Sequence, residues 1–184
     1  MNFDLENIIK KCQANDRMAQ NQLYEHYKGI LYSISLRYMG DKMSAEDAFV
    51  EAFFKIFDKI NDYQGAGSFE GWMKKITVNE CLMSLRKKNN LRLAVELADW
   101  QVSESPVALE ILNMEDLAHA IEELPPGYRT IFNMYEIDGF KHREIADELG
   151  ISINTSKSQL ILAKKRLREI IKKKQTIKLF NSKS

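Results

Sequence analysis

Between Lys141 and Ser152 the chain reads Lys141-His142-Arg143-Glu144-Ile145-Ala146-Asp147-Glu148-Leu149-Gly150-Ile151-Ser152, followed by a long basic stretch. Few patterns constrain local geometry so tightly. A glycine just past an apolar periodic segment can take the left-handed conformation that ends a helix, and a serine two residues later can accept a backbone N–H at the start of the next. Ile145, Ala146, Leu149 and Ile151 would then pack the two helices at a tight crossing. That order is a helix-turn-helix. Its second helix carries lysines and short polar side chains outward, a shape suited to the major groove of duplex DNA.

The remainder of the chain also has helical spacing. Leu5, Ile8, Ile9 and Cys12 form a short amphipathic segment, and Asp16 can cap a second helix carrying Leu23, Tyr27, Ile30 (or Leu31) and Ile34. Gly40-Asp41 breaks it, and Ser44 is expected to open a third helix. That helix has two adjacent apolar stripes, Phe49-Phe53-Ile56-Ile60 and Val50-Phe54-Phe57. One stripe suffices for a core, so the second is either buried against another helix or left exposed as a partner surface. The stretch 62–68 reads as a loop by its glycines, and Phe69, Trp72, Ile76, Asn79 and Met83 then recur at helical spacing. Periodicity fades after the run Arg86-Lys87-Lys88, resumes near Val107, stops at Pro125-Pro126 and continues through Ile131, Met134 (or Tyr135) and Ile137 to Asp138-Gly139. The expected fold is all-α: two small helical domains joined by a linker, the C-terminal one a helix-turn-helix.

Charge divides the chain in the same way. Residues 1–89 hold 13 bases and 12 acids, residues 90–125 one base and eight acids, and residues 126–184 13 bases and six acids. The formal net charge of +1 therefore hides a local basic module behind an acidic connector. This division and the fading periodicity place a connector after about residue 90; the bounds expected for the two domains are 1–90 and 113–184, with the linker at 91–112.

Several function classes find no support. No apolar run approaches the ~20 residues that span a bilayer. Residues 1–6 lack the basic-then-apolar order of a signal peptide, so the expected compartment is the cytosol. Cys12 and Cys81 match no metal spacing and read as reduced thiols. His26, His119 and His142 are scattered, with no ligand set around them. Nothing resembles a nucleophile with its base, a phosphate-cradling loop or a metal cage, so neither enzymatic activity nor a cofactor or metal is expected.

The nucleic-acid signals lie in both halves. On the terminal helix, Ser156, Leu160, Ala163, Leu167 and Ile171 share one face; Asn154, Thr155, Ser158, Leu162 and Lys165 share the opposite one, flanked by Lys157, Lys164 and Arg168. A charge run is usually a solvated face, but the preceding turn favours a reading helix whose lysines meet phosphates. In the front half, a polar glycine loop beside an aromatic pair can hold an unstacked base, although Trp72 by itself reads more readily as core. The bases at 86–88 also suit a helix C-terminus through the dipole alone.

Read together, Ala45 to Phe57, Tyr63 to Asn79 with Leu85-Arg86-Lys87-Lys88, Leu124-Pro125-Pro126-Gly127-Tyr128-Arg129, and Glu144 to Leu160 resemble bacterial RNA polymerase sigma factors of the extracytoplasmic-function type, over nearly the whole chain. The resemblance implies binding to core RNA polymerase and promoter DNA, with strand opening and no bond made by this chain. It implies polymerase contacts through Asp47, Val50, Glu51 and Phe54. Minus-ten contacts fall to Gln64, Gly65, Ser68, Phe69, Asn79, Arg86, Lys87 and Lys88. Minus-thirty-five contacts fall to Asn154, Thr155, Ser156, Lys157, Ser158, Gln159, Leu162, Lys164 and Lys165. The acidic linker would thread polymerase channels that otherwise hold RNA, and an anti-sigma protein would control the factor. Val50, Met83, Asn154 and Leu162 depart from the residues common in such factors, and Leu162 in particular suits a thymine methyl. The competing reading is a conventional helix-turn-helix regulator that binds a duplex operator without polymerase.

Overall fold

The computed structural model describes residues 4–87 and 114–181. The chain divides into two compact units, Met1–Asn89 and Asn90–Ser184. Among the described residues all regular structure is helical.

The first unit starts with α1 (Leu5–Gln13), capped by the Asp4 carboxylate, which accepts from the Asn7 N–H at 3.2 Å. Asn15, at φ 59°, takes the left-handed turn that ends it. Asp16 then caps α2 (Arg17–Met39), accepting from the Met18 and Ala19 N–H groups at 2.8 and 3.1 Å. Gly40, at φ 76°, closes α2. The next helix, α3 (Lys42–Asp58), is capped by Asp41 rather than opened by Ser44, which is buried within its first turn. A single 3₁₀ turn, Ile60–Asp62, leads into the loop before α4 (Phe69–Lys87).

Helices α2, α3 and α4 pack on one another, and α1 lies against α2. The core takes Leu23, Leu31 and Ile34 from α2, Phe49, Phe53 and Ile56 from α3, and Met73, Val78, Leu82 and Leu85 from α4. Leu31 is the inward residue of its pair, and Ile30 remains partly exposed. Each fully buried Leu or Ile contributes about 1.5–3 kcal/mol of transfer free energy. The inward face of α4 is Phe69-Met73-Thr77-Cys81, not the row through Trp72, Ile76, Asn79 and Met83 expected from spacing. The two rows sit side by side on one helix, and close packing selects the one with the small residues Thr77 and Cys81. Cys12 and Cys81 are buried thiols, not joined in a disulfide. Burial, then the Asp16 carboxylate, pushes the Cys12 thiol up to about 11, so it stays protonated and unreactive.

In the second unit, α5 (Met114–Glu122) precedes Pro125, the cap of α6 (Pro126–Phe132). Pro126 fits the first helical position, where its missing N–H costs nothing. The proline pair that ends one helix thus starts another. Arg129 is buried and donates to the Glu122 carbonyl at 2.7 Å, fastening the end of α5 to α6. A π turn, Asn133–Ile137, carries the chain to Gly139 at φ 75°. Then come α7 (His142–Leu149) and α8 (Ile153–Asn181). One cluster packs Ala120, Ile121 and Leu124 against Leu167 and Ile171 of α8. Ile131, Met134, Ile145 and Ala163 are buried as well. The helix start expected near Val107 and the linker at 91–112 lie outside the described residues.

Candidate nucleic-acid and partner interfaces

Val50 and Phe54 of the surplus stripe of α3 face solvent, while its third member, Phe57, is half-buried beside Phe53 at 5.9 Å. Phe54 is 71% exposed and Val50 61%, while Phe49 and Phe53, one position earlier in each case, are buried. Phe53 packs at 4.9 Å from the Tyr24 ring and 5.2 Å from Phe49, which fills the bundle and leaves no place for the second stripe. Met43, 72% exposed, extends that stripe by two turns and was not singled out from the sequence; its spacing to Asp47, Val50 and Phe54 was the available signal. Asp47 and Glu51 are exposed beside it and line a groove of about 180 Å³ shared with Glu80, Met83 and Lys87 of α4. An apolar ridge flanked by carboxylates is a surface for an apolar, cationic partner element.

The glycine loop is built by its own chemistry. Gly65 and Gly67 sit at φ 78° and 81°, where a side chain would be strained. The Tyr63 hydroxyl donates to the Gly67 carbonyl at 2.8 Å and pins the loop, and the Ser68 Oγ accepts from the Gly71 N–H at 3.0 Å to start α4. Gln64, Gly65 and Ser68 are exposed. Phe69 is not: at 3% exposure it packs 4.9 Å from Tyr63 and stacks 5.4 Å from Trp72, so it supports the loop from beneath and offers no face to a base. Trp72, expected as core, is half-buried. Asn79 is half-buried too, and its Oδ1 has no hydrogen-bond partner. Buried polar atoms in that state are uncommon and mark a place where a ligand can supply the missing donor. Arg86 and Lys87 end α4 exposed, while Lys88 lies outside the described residues.

In the second unit the turn has the expected caps. Gly150, at φ 66°, ends α7 with its N–H on the Ala146 carbonyl, and the Ser152 Oγ accepts from the Thr155 N–H at 2.9 Å. The Glu144 carboxylate accepts from the Lys141 N–H at 2.8 Å and secures the start of α7. On α8, Asn154, Lys157 and Ser158 are exposed. Thr155, Leu162 and Lys165 are half-buried. Ser156 and Gln159 turn inward, at 0% and 4% exposure, and neither is presented to a groove. They sit on the side of α8 that packs toward the bundle, beside Leu160 and Ala163. Lys164 is held by Glu136 at 2.7 Å. Ile161, 59% exposed, completes the outward ridge Asn154-Ser158-Ile161-Lys165; that place was expected of its neighbour Leu162, which is half-buried.

His142, also passed over, joins the turn to α8. Its ring stacks on Tyr135 at 4.4 Å, and its Nδ1 lies 2.9 Å from the Ser156 Oγ. Burial, then the charges of Lys157 and Lys164, holds the imidazole below its ordinary 6.5. Among the described residues no group of His, Cys, Asp and Glu is arranged to hold a metal ion, and no helix is long and apolar enough to cross a membrane.

Comparison with known proteins gives a consistent picture. A family model for sigma-70 region 2 matches residues 23–91, and one for sigma-70 region 4 matches residues 114–167. The chain is 28% identical over 159 residues to the ECF RNA polymerase sigma factor SigE of Mycolicibacterium smegmatis, covering 83% of this chain and 62% of that protein. It is 26% identical over 184 residues to the ECF RNA polymerase sigma factor SigW of Bacillus subtilis, covering 92% and 97%. In fold it resembles the sigma factor RpoE of Bartonella quintana, solved with the anti-sigma factor NepR. That likeness has a TM-score of 0.54 at 22% identity and covers 83% of this chain and 96% of the other. With both sigma-70 regions matched in chain order, and with extracytoplasmic-function relatives aligned over most of the chain, the chain belongs to the sigma-70 family of RNA polymerase sigma factors, in its extracytoplasmic-function group.

Proposed function

We propose that this chain directs core RNA polymerase to promoters, with its first unit docking on the enzyme and opening the minus-ten element while α8 reads the minus-thirty-five element. The observation that carries the reading is the exposed ridge of Val50 and Phe54 on α3 in a chain that also has a helix-turn-helix. A regulator that needed only DNA would gain nothing from an uncovered phenylalanine, whose exposure favours aggregation. Asp47 and Glu51 flank the ridge and orient a cationic partner helix, and charge complementarity of this kind sets encounter rate and register.

The DNA contacts divide by chemistry. Lys157 and Lys165 meet phosphates, and Asn154, Ser158 and Ile161 approach base edges, the isoleucine suiting a thymine methyl. In the first unit, Arg86 and Lys87 hold backbone, Gln64, Gly65 and Ser68 bound the place of an extruded base, and Asn79 offers its unsatisfied carbonyl oxygen to the strand. The chain works by binding and strand separation, as a component of the polymerase and not as a catalyst. It acts in the cytosol, where the polymerase is. An anti-sigma protein covering the α3 ridge would silence it, a partner type supported by the complex of its Bartonella quintana relative.

In vitro transcription decides the matter. Core enzyme plus the wild-type chain should initiate at specific sites, and a Phe54→Asp variant should bind core at least about tenfold more weakly, since it buries a charge where an aromatic anchor sat. Its thermal midpoint should be unchanged, because the side chain is exposed. If the wild-type chain yields no site-directed initiation yet binds a duplex operator tightly by itself, the operator-regulator reading replaces this one.

A further inference from the structure

Reading a base edge demands more of a helix than holding a phosphate does. A hydrogen bond from a short side chain to a base edge tolerates about 0.5 Å of displacement, whereas a lysine follows a phosphate on its flexible four-carbon stem. Asn154 and Ser158 are such short groups, both exposed on the first two turns of α8. Their reach depends on what fixes the pitch of that helix end. The cap at Ser152 is local: its Oγ accepts from the Thr155 N–H and ties α8 to no other element.

The tie comes from the π turn. Met134 is fully buried and its carbonyl accepts from the Phe140 N–H at 2.9 Å, so the turn stands on the core. The next two residues both reach toward α8. Tyr135 does so through His142: the two rings stack with centroids 4.4 Å apart and planes inclined by 22°, and the His142 Nδ1 meets the Ser156 Oγ at 2.9 Å. Glu136 does so directly, its carboxylate 2.7 Å from the Lys164 ammonium. Ser156 and Lys164 lie about 12 Å apart along the helix axis. Two holds fix the direction of an axis that one hold would leave free to swing.

The two holds differ in strength. The ion pair at Lys164 is partly exposed and of the weak kind. The Ser156 hydroxyl is fully buried, where losing its partner is costly, so this hold is the firmer one. Two residues turn a helix by about 200°, which sets Ser156 on the far side from Asn154 and Ser158. Releasing Ser156 therefore tips the reading face.

We propose that His142 is a positioning residue for minus-thirty-five reading: clamped between Tyr135 and Ser156, it holds the first turn of α8 at the pitch that brings Asn154 and Ser158 to base edges. The assignment rests on the sigma-factor reading of α8 and adds to it a residue outside the reading helix, one that acts through Ser156.

The test uses holoenzyme assembled from the full chain and core polymerase, with a promoter library randomised across the minus-thirty-five element, the bound fraction being sequenced at several salt concentrations. His142→Phe keeps a ring for Tyr135 to stack on and removes the Nδ1; Ser156→Ala removes the hydroxyl. Each should lower the preference for the favoured bases about fivefold, the low end of one base contact. The salt slope should keep its wild-type value, because the lysines still reach their phosphates. The double variant should lose no more than either single one, since both changes remove the same hold. Preference is a ratio between sequences bound by one protein, so a variant that only loses stability binds less of every sequence and leaves the ratio unchanged. Single variants that retain the wild-type preference overturn the proposal, as do losses that add in the double variant. A changed salt slope with intact preference overturns it too, by making His142 a phosphate contact. A wild-type holoenzyme that selects no sequence at all instead overturns the sigma-factor reading beneath it, so the two failures are distinct.

Discussion

His142 shows how much one side chain can join. It stacks on Tyr135, contacts Ser156 and sits near Lys157 and Lys164, so a proton added there meets two existing positive charges. Its folded pKa lies below the ordinary 6.5, with burial the larger cause. Below that value the unfolded chain therefore binds the proton more readily than the folded one. The stability this residue contributes is complete above about pH 6.5 and is lost as pH falls through the depressed folded value. The thermal midpoint of the second unit should fall as pH drops below about 6.5, and His142→Gln should flatten that part of the profile. A slope unaltered by His142→Gln would place the sensitivity in another group. Nothing in the spacing of the three histidines distinguishes His142. Its partners come from the π turn and α8, and only folding brings those elements to it.

At the scale of elements, the turn between α7 and α8 was the most legible part of the molecule, because its geometry is local. Gly150 has no neighbour within 4 Å of an added Cβ, so Gly150→Ala isolates the backbone cost of φ 66°. That cost is about 1–2 kcal/mol. A urea-unfolding midpoint should report a loss of this size in the second unit, and a value near zero would mean that the turn relaxes. The outward face of α8 makes a separate prediction. Lys157→Ala should lower the magnitude of the salt slope of promoter binding by about 0.9 while leaving base preference intact, as expected of a phosphate contact. The phase of long helices was less legible. On α4 two adjacent rows satisfy the same 3.6-residue spacing, and on α8 Ser156 and Gln159 were offered to DNA although the bundle takes them in. Residue type misleads there: short polar groups can be buried in a helix crossing when a backbone, hydroxyl or imidazole partner is near, as His142 is for Ser156.

For the molecule as a whole, the division into two units has a measurable consequence. Leu31 is fully buried in the first unit, and Leu31→Ala should cost about 2–5 kcal/mol. Amide hydrogen exchange should then speed up across α1–α4 while α5–α8 keep their protection, since the second unit has its own core. Uniform loss of protection would show one cooperative body instead. The sequence by itself determined the helical class, the two-module division of charge, the caps at Asp16 and Gly150 and the helix-turn-helix, because each depends on neighbours within about one helical turn. Only the tertiary structure decided which of two equivalent stripes on α3 is core and which is left for a partner, that Phe69 supports its loop from below, and that α1 faces the glycine loop across a cleft. Periodicity states that a helix has an apolar side. Which side is used depends on what the other helices have already filled.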